Sequence, residues 1–420
     1  MVSGFFIYKR YQISYDYDML FRVYLQQLRR RDKYMSITID IKGRITADNA
    51  AEYKNMFDEK LAGIAAEELK ESEIILNADK LEYISSAGLR VLMGIAKKAG
   101  SVSIIDASPE VCDIFAITGF DSMIKITRKL RTLSTENLEL IGIGATSKVY
   151  RIDGDTVVKV YNSDFPLGRI KEEQQLNKTA LHYDIPAMIA FDIVKVGECY
   201  GTVYELIGGT TLSKLMADNP DKEDEYCRLF ADFLKKAHAA SVPDKTVPSK
   251  KKQFYDTVEE LEKCGYYTRA TAEAFKGLIY FIPDANTFLH GDCHPGNVML
   301  DEGGLSFIDM LCMAKGNPVF DIAAVCWYRV APKVLTKDQL ESIIGIQEER
   351  LEGIWRKFLK YYFETEDDTV IDRLDKQFMA LECFNLSTLH YIVPGLFTKE
   401  TEEWLINEGL RAADYDWSEF

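Results

Sequence analysis

The stretch His290-Gly-Asp-Cys-His-Pro-Gly-Asn-Val-Met-Leu-Asp-Glu-Gly-Gly-Leu-Ser-Phe-Ile-Asp-Met310 decides how the rest of the chain is read. Asp292 and Asn297 share a tight loop. Asp309 follows a short apolar run, Leu305 to Ile308, that reads as a strand returning to the same place. Carboxylates and a carboxamide so disposed suit magnesium and ATP. Phosphoryl transfer needs little covalent help from a protein, because its catalysis is mostly positioning and charge neutralisation. One carboxylate accepts the hydroxyl proton, while a carboxylate and a carboxamide hold the metal ions that bridge the phosphates. Asp292 fits the first role, and Asn297 and Asp309 the second. The plain alternative is an Asp and an Asn capping a turn in an ordinary domain.

The pattern H-G-D-x-H-x-x-N followed by I-D resembles the aminoglycoside and choline phosphotransferase family, kinase-like enzymes that phosphorylate small-molecule hydroxyls. That resemblance implies a bilobal protein-kinase-like fold, ATP and Mg2+ as cofactors, and a small-molecule hydroxyl acceptor. It also implies that His290 and His294 brace the loop and that Asp321, in Gly316-Asn-Pro-Val-Phe-Asp-Ile-Ala323, supports it from below.

The upstream parts are in order. Glu139 to Tyr150 reads as strand, Gly-rich turn, strand, with Gly142, Gly144 and Ser147 in the turn, where backbone N–H groups can lie over phosphates. Lys159 follows in the apolar strand Val157-Val-Lys-Val160. In isolation it would be a surface lysine; in this company it takes the role of holding the α and β phosphates. Its carboxylate partner should come from the helix Gly168 to His182, where Glu172 and Glu173 both qualify and the family's spacing favours Glu173. Tyr200 to Gly209 resembles the last small-lobe strand entering the hinge, so backbone groups of Glu205 to Ile207 would meet the adenine edge. His238 reads as packing, and the run Lys250-Lys-Lys252 as a solvated helix face. From Thr336, which with Gln339 forms a capping-box pattern, the chain is helical, and Leu351, Ile354, Trp355, Phe358, Leu359 and Tyr362 recur as a core stripe. Glu364, Glu366, Asp367 and Asp368 are acidic enough to line a pocket for a cationic substrate.

Before this fold lies another. Runs Ile37–Ile41, Ile74–Asn77 and Val102–Ile105 alternate with helical patterns at 49–62, 87–98 and 109–118, which predicts a small α/β sheet domain. Thr46 and Asp48 are placed to cap the first helix, and Gly119 to end the last. In Leu81-Glu-Tyr-Ile-Ser-Ser-Ala-Gly-Leu-Arg-Val-Leu92 a loop delivers two serines to a helix start. Either could cap it, and a phosphate added there would change the local charge by about -1.5 to -2 at the positive helix end. With Lys42-Gly-Arg-Ile45 and Phe115-Ala-Ile-Thr-Gly-Phe120, this segment looks like the anti-sigma factor antagonist (STAS) family. That likeness implies a protein partner and places the phosphorylated serine at Ser86, preceded by Ser85 where many members have Asp.

The expected organisation is an arm over 1–34, a STAS-like domain over 35–126, a linker over 127–137, a kinase-like N-lobe over 138–207 and a C-lobe over 208–420. The fold class is α/β for the first part and α+β for the second, with a largely helical C-terminal lobe. The arm carries a candidate amphipathic helix with Leu20, Val23, Tyr24 and Leu28 on one side, or else precedes the real start; no chemistry is assigned to it.

Composition bounds the function. A 420-residue chain that is 47% hydrophobic and 28% charged is globular, with about two or three domains. A net charge of -15 argues against general affinity for nucleic acid or anionic membrane, since both need clustered Lys and Arg. Eight scattered cysteines without metal spacing read as reduced thiols, and Cys293 as a filler in the loop. With no long apolar run and no signal-peptide pattern, the expected location is the cytoplasm. The expected function is ATP-dependent transfer to a hydroxyl. Its rivals are a regulatory binding protein whose kinase-like half senses nucleotide, and a kinase acting on the STAS serine.

Overall fold

The computed structural model describes residues 36–144, 146–243, 245–392 and 396–420. The expected helix of the N-terminal arm lies outside the described residues. The chain divides into two compact units with the break between Leu133 and Ser134.

In the first unit β1 (Ser36–Ile45), β2 (Glu73–Ile84), β3 (Ser101–Ala107) and β4 (Lys125–Arg128) form a parallel sheet in that order. Parallel neighbours require crossovers, supplied here by α1 (Ala50–Leu61), α2 (Ala66–Lys70), α3 (Ser86–Ala96) and α4 (Pro109–Ile117). Ile39, Ile41, Ile74, Leu76 and Ile104 of the sheet are buried in one core with Phe57, Leu92 and Phe115 of the helices. Two strands run further than their apolar stretches. Past Asp40, pairing resumes from Lys42↔Lys80 to Ile45↔Ile84 through two register shifts, with Gly43 at φ +69°. Charged residues at these irregularities break the apolar pattern that would have marked the strand.

One expected cap is corrected. Neither Thr46 nor Asp48 caps α1; Asn49 is the N-cap residue, and its Oδ1 accepts from Thr46 N–H at 2.8 Å, so no side chain caps the helix. Gly119, at φ +68°, follows α4 as the spacing predicts.

The second unit opens with β5 (Glu139–Ile143), β6 (Ser147–Arg151) and β7 (Thr156–Tyr161), crosses through α5 (Leu167–His182), and returns as β8 (Ala190–Val196) and β9 (Cys199–Glu205). Hydrogen-bonded neighbours run β8-β9-β7-β6-β5, all antiparallel. Beyond the hinge lie β10 (Thr210–Thr211), α6 (Leu212–Asp218), α7 (Glu223–His238), α8 (Lys250–Lys263) and α9 (Arg269–Phe281). Four short strands carry the catalytic-type loops: β11 (Thr287–Leu289), β12 (Val298–Asp301), β13 (Gly304–Phe307) and β14 (Ala314–Gly316). Helices α10 (Val319–Val325), α11 (Trp327–Val334), α12 (Lys337–Ile343), α13 (Glu348–Phe363), α14 (Asp368–Ile392) and α15 (Lys399–Leu410) complete it. The capping box on Thr336 and Gln339 is present. Leu351, Ile354, Trp355, Phe358 and Leu359 bury the inner face of α13 in the core they share with Phe230, Phe378 and Trp417.

Candidate active site

The site is built on antiparallel register. Thr202 of β9 lies opposite Lys159 of β7, which brings Tyr161 and Tyr204 onto the same side as the lysine. Helix α5 then delivers Glu173, which is 1% exposed. Lys159 Nζ donates to Glu173 Oε1 at 3.0 Å and to Asp309 Oδ1 at 3.2 Å. The Tyr161 and Tyr204 hydroxyls donate to Glu173 Oε2 and Oε1 at 2.9 and 3.0 Å. A buried carboxylate is thus satisfied by one ammonium and two phenols, as burial requires. Burial opposes the charge on Lys159, but the carboxylates of Glu173 and Asp309 outweigh it and hold the ammonium well above its ordinary pKa. Burial raises both phenols well above the usual range. Glu172, the other candidate, pairs with Arg169 at 2.5 Å instead.

Asp309 sits at φ +59°, ψ +63°, a left-handed conformation that Asp tolerates better than most residues. It follows β13 at the start of a 3-10 turn, Met310–Cys312, and its side chain is 48% exposed. Across from it, Asn297 Nδ2 donates to the backbone oxygen of Asp292 at 2.9 Å and to Asp292 Oδ2 at 3.1 Å. With its amide nitrogen so engaged, Asn297 can present Oδ1 to a cation. One side-chain oxygen from Asn297 and a carboxylate from Asp309 suit Mg2+, which keeps several waters and takes other ligands from phosphates. No group of three or more His, Cys, Asp or Glu side chains poised for a metal occurs among the described residues.

The loop between them is held from beneath. The fully buried Asp321 accepts from His290 N–H at 2.7 Å and Gly291 N–H at 2.8 Å, and His238 Nε2 stands 3.3 Å from it. Burial works against the Asp321 charge, but the His238 contact and the Gly291 N–H prevail and its pKa is lowered. His290 Nδ1 faces Asp292 N–H at 3.3 Å and its Nε2 faces the Ile308 carbonyl at 2.9 Å, so one ring ties Asp292 to the strand carrying Asp309. Those partners select the Nε2–H tautomer. His294 Nδ1 accepts from Gly296 N–H at 3.1 Å. Gly291 has no room for a side chain: at φ +83°, a Cβ would land 1.9 Å from the Cys312 carbonyl. Cys293 is buried and burial pushes its thiol well up, which keeps it protonated.

The remaining expected residues lie in the β5–β6 hairpin and at the end of β9. Gly144 N–H donates to the Ser147 carbonyl at 2.8 Å, closing the β5–β6 hairpin, and Gly142 pairs with Val149 at a register shift. At the hinge, Glu205 N–H is bonded to Ile189 O and Leu206 N–H to Asp155 O, while the Glu205 carboxylate accepts from Ile189 N–H at 2.6 Å. The Ile207 N–H makes no backbone hydrogen bond among the described residues. In the first unit, Ser85 is the N-cap of α3, accepting from Gly88 N–H at 3.4 Å, and Ser86 is exposed on the first helical turn.

One expectation changes. The lysine run is not one solvated face: Lys252 pairs with Asp256 and Lys251 with Asp284 and the Ile282 carbonyl, but Lys250 Nζ donates to Gly291 O at 3.2 Å, beside Asp292. The acidic residues near 364–368 are engaged elsewhere, Glu364 with Lys235, and Glu366 and Asp368 with Lys360. The carboxylate near Asp292 that no motif announced is Glu382 of α14, 2% exposed, accepting from Asn385 Nδ2 at 3.0 Å.

Burial pushes the Glu382 carboxyl up to about 8 despite the Asn385 bond. The acid is then neutral in the fold at pH 7 but ionised when unfolded, so the folded state binds more protons and loses stability as pH rises from about 4.5 to 8. Glu382→Gln, always neutral, should gain on the order of 2–4 kcal/mol over wild type between pH 5.5 and 8. Urea unfolding at the two pH values measures this; equal pH slopes for the two proteins would refute it.

Family models match the two units separately. That of the phosphotransferase enzyme family (APH) covers residues 137–353, and that of the STAS domain residues 27–133. BtrV of Bordetella bronchiseptica, which carries the name of an anti-sigma factor antagonist, is 31% identical over 99 residues, 22% of this chain and 85% of BtrV. Among solved structures, ADP-bound aminoglycoside phosphotransferase APH(2'')-Ib is 17% identical with a TM-score of 0.42, covering 72% of this chain and 98% of its own. An apo thermostable mutant of APH(4)-Ia is 14% identical at a TM-score of 0.46, covering 66% and 94%. A choline/ethanolamine kinase family protein from Mesorhizobium loti is 14% identical at 0.42, covering 66% and 88%. Lys159 of the five-strand run, paired with Glu173 of α5, and the H-G-D loop braced by Asp321 thus stand in a match spanning more than half the chain, and the protein belongs to the phosphotransferase enzyme family, with a STAS domain ahead of its kinase-like fold.

Proposed function

We propose that this chain transfers the γ-phosphoryl group of ATP to a hydroxyl, most naturally of a small molecule. The observation that carries the reading is convergence: Lys159, held by Glu173, reaches Asp309, and the Asp309 strand is tied through His290 to the peptide of Asp292. Bound Mg-ATP supplies the transferable group and the charge neutralisation. Asp292 accepts the hydroxyl proton, Asn297 and Asp309 hold the metal, and Lys159 orients the phosphates. Gly142, Gly144 and Ser147 form the cover, with Glu205 to Ile207 at the adenine edge. A STAS domain reaching through β4 to Arg128, with the linker after it to 137, would make the first unit a regulatory or partner-binding module. Eight free cysteines suit a reducing compartment such as the cytoplasm.

A second reading is favoured by one observation. Ser85 takes the capping task, which leaves the exposed Ser86 hydroxyl for modification at a helix start. Intact-protein mass after incubation with Mg-ATP, alongside ADP release with added alcohols, separates the readings. A one-phosphate gain lost in both Ser86→Ala and Asp292→Asn means that the kinase acts on its own switch. Constant mass with alcohol-dependent ADP release means a metabolite kinase. ADP release that no acceptor stimulates, with constant mass, would sink both.

A further inference from the structure

Three lysines open α8, with no acidic residue in its first turn. Cations at a helix N-terminus work against the macrodipole, so helix stability does not account for them. Lys251 and Lys252 are compensated by Asp284 and Asp256. Lys250 makes no ion pair among the described residues; its Nζ donates to Gly291 O at 3.2 Å and stands 5.0 Å over the Phe254 ring. An ammonium with three donors and one carbonyl acceptor keeps donors to spare. Its backbone is fixed: Ser249 bridges to Lys315, Lys315 N–H donates to Pro248 O at 2.8 Å, and a Cβ on Gly316 would touch Lys250 Cβ at 3.4 Å.

Asp292 and Glu382 stand near this charge, but neither closes an ion pair with it. Glu382, near both Asp292 and Lys250, is buried, and burial holds its carboxyl well above the usual carboxylate range. Arg169, the other cation near the exposed Cys312, is already paired with Glu172. Of the acidic run 364–368, Glu364 pairs with Lys235 and Glu366 and Asp368 with Lys360, while Asp367 accepts from Thr369 N–H.

We propose that Lys250 is an acceptor-anchoring residue, selecting hydroxyl compounds that carry an anionic group, a carboxylate or phosphate, close to the hydroxyl attacked. The inference rests on the phosphotransferase reading above and names the charge class of its substrate. In the transfer, the acceptor oxygen bonds to the γ-phosphorus, the bond to the β-phosphate oxygen breaks, and the hydroxyl proton goes to Asp292. Lys250 only holds the acceptor's anion.

The test uses the full chain, Mg-ATP and three alcohol classes: glycerate and gluconate, glycerol and glucose, choline and ethanolamine. ADP release should be stimulated most by the anionic pair. Lys250→Met should lower kcat/KM for that pair about 10- to 100-fold, mainly through KM, and change the neutral pair little; Lys250→Arg should restore it. Mg-ATP affinity, measured in the same variants, should not move. Preference for choline that Asp292→Asn abolishes would overturn the anion assignment while leaving phosphotransfer intact. An equal fall in kcat for every alcohol would also overturn it, by putting the charge on the phosphoryl group. Failure of all six alcohols with Mg-ATP bound would overturn it together with the small-molecule reading.

Discussion

Asp292→Asn should turn over about 10²–10⁴-fold more slowly than wild type while binding Mg-ATP unchanged. The size follows from the role, since an amide of the same shape cannot take the hydroxyl proton. The selectivity follows from the architecture. Asp292 is held through its backbone by His290 Nδ1 and through its side chain by Asn297, and the loop as a whole by Asp321. None of these bonds needs the carboxylate proton-free, because Asn297 Nδ2 can still donate to the remaining carbonyl oxygen. Lys159 and Glu173 belong to β7 and α5 and are untouched. Single-turnover ADP formation and nucleotide affinity, measured side by side, check the split. An unchanged rate would remove Asp292 as base, and a loss confined to nucleotide affinity would move it to the metal.

What the sequence made legible was local. The H-G-D loop, the Gly-rich hairpin and Lys159 each announce themselves within a few residues, because their chemistry is fixed by spacing along the chain. The partners they need are not. Glu172 and Glu173 look alike on a helix, and only the packing of α5 on the sheet separates the one beside Lys159 from the one beside Arg169. Tyr161 and Tyr204 read as ordinary strand aromatics until the register Thr202↔Lys159 turns both hydroxyls toward Glu173. Lys250 lies 41 residues before Gly291 and looked like part of a solvated run. Glu382 sits in a 25-residue helix without any motif. The fold class of the first unit was legible from alternation, and that of the second from the resemblance its motifs carry; the longer strands of the first unit were hidden by charged residues at their register shifts.

Glu173→Ala should be the most destabilising single change in the small lobe, on the order of 3–5 kcal/mol. Removing the carboxylate leaves the Lys159 ammonium, 14% exposed, with only the half-exposed Asp309 as counter-charge, and takes the acceptor from the Tyr204 hydroxyl while leaving Tyr161 only its 3.5 Å contact with Thr202 Oγ1. The cost is that of uncompensated polar groups rather than of the ion pair itself, so the effects should be strongly non-additive: Lys159→Met with Glu173→Leu should be more stable than Glu173→Ala alone. Both variants should lose nucleotide affinity, because the double change removes the phosphate-facing ammonium and the single change lets it swing toward Asp309. Urea unfolding of the full chain followed by tryptophan fluorescence isolates this unit, since all four tryptophans, Trp327, Trp355, Trp404 and Trp417, lie beyond Ser134. A double variant no more stable than Glu173→Ala would mean that the pair contributes net stability, and that Glu173 is held for more than the charge it answers.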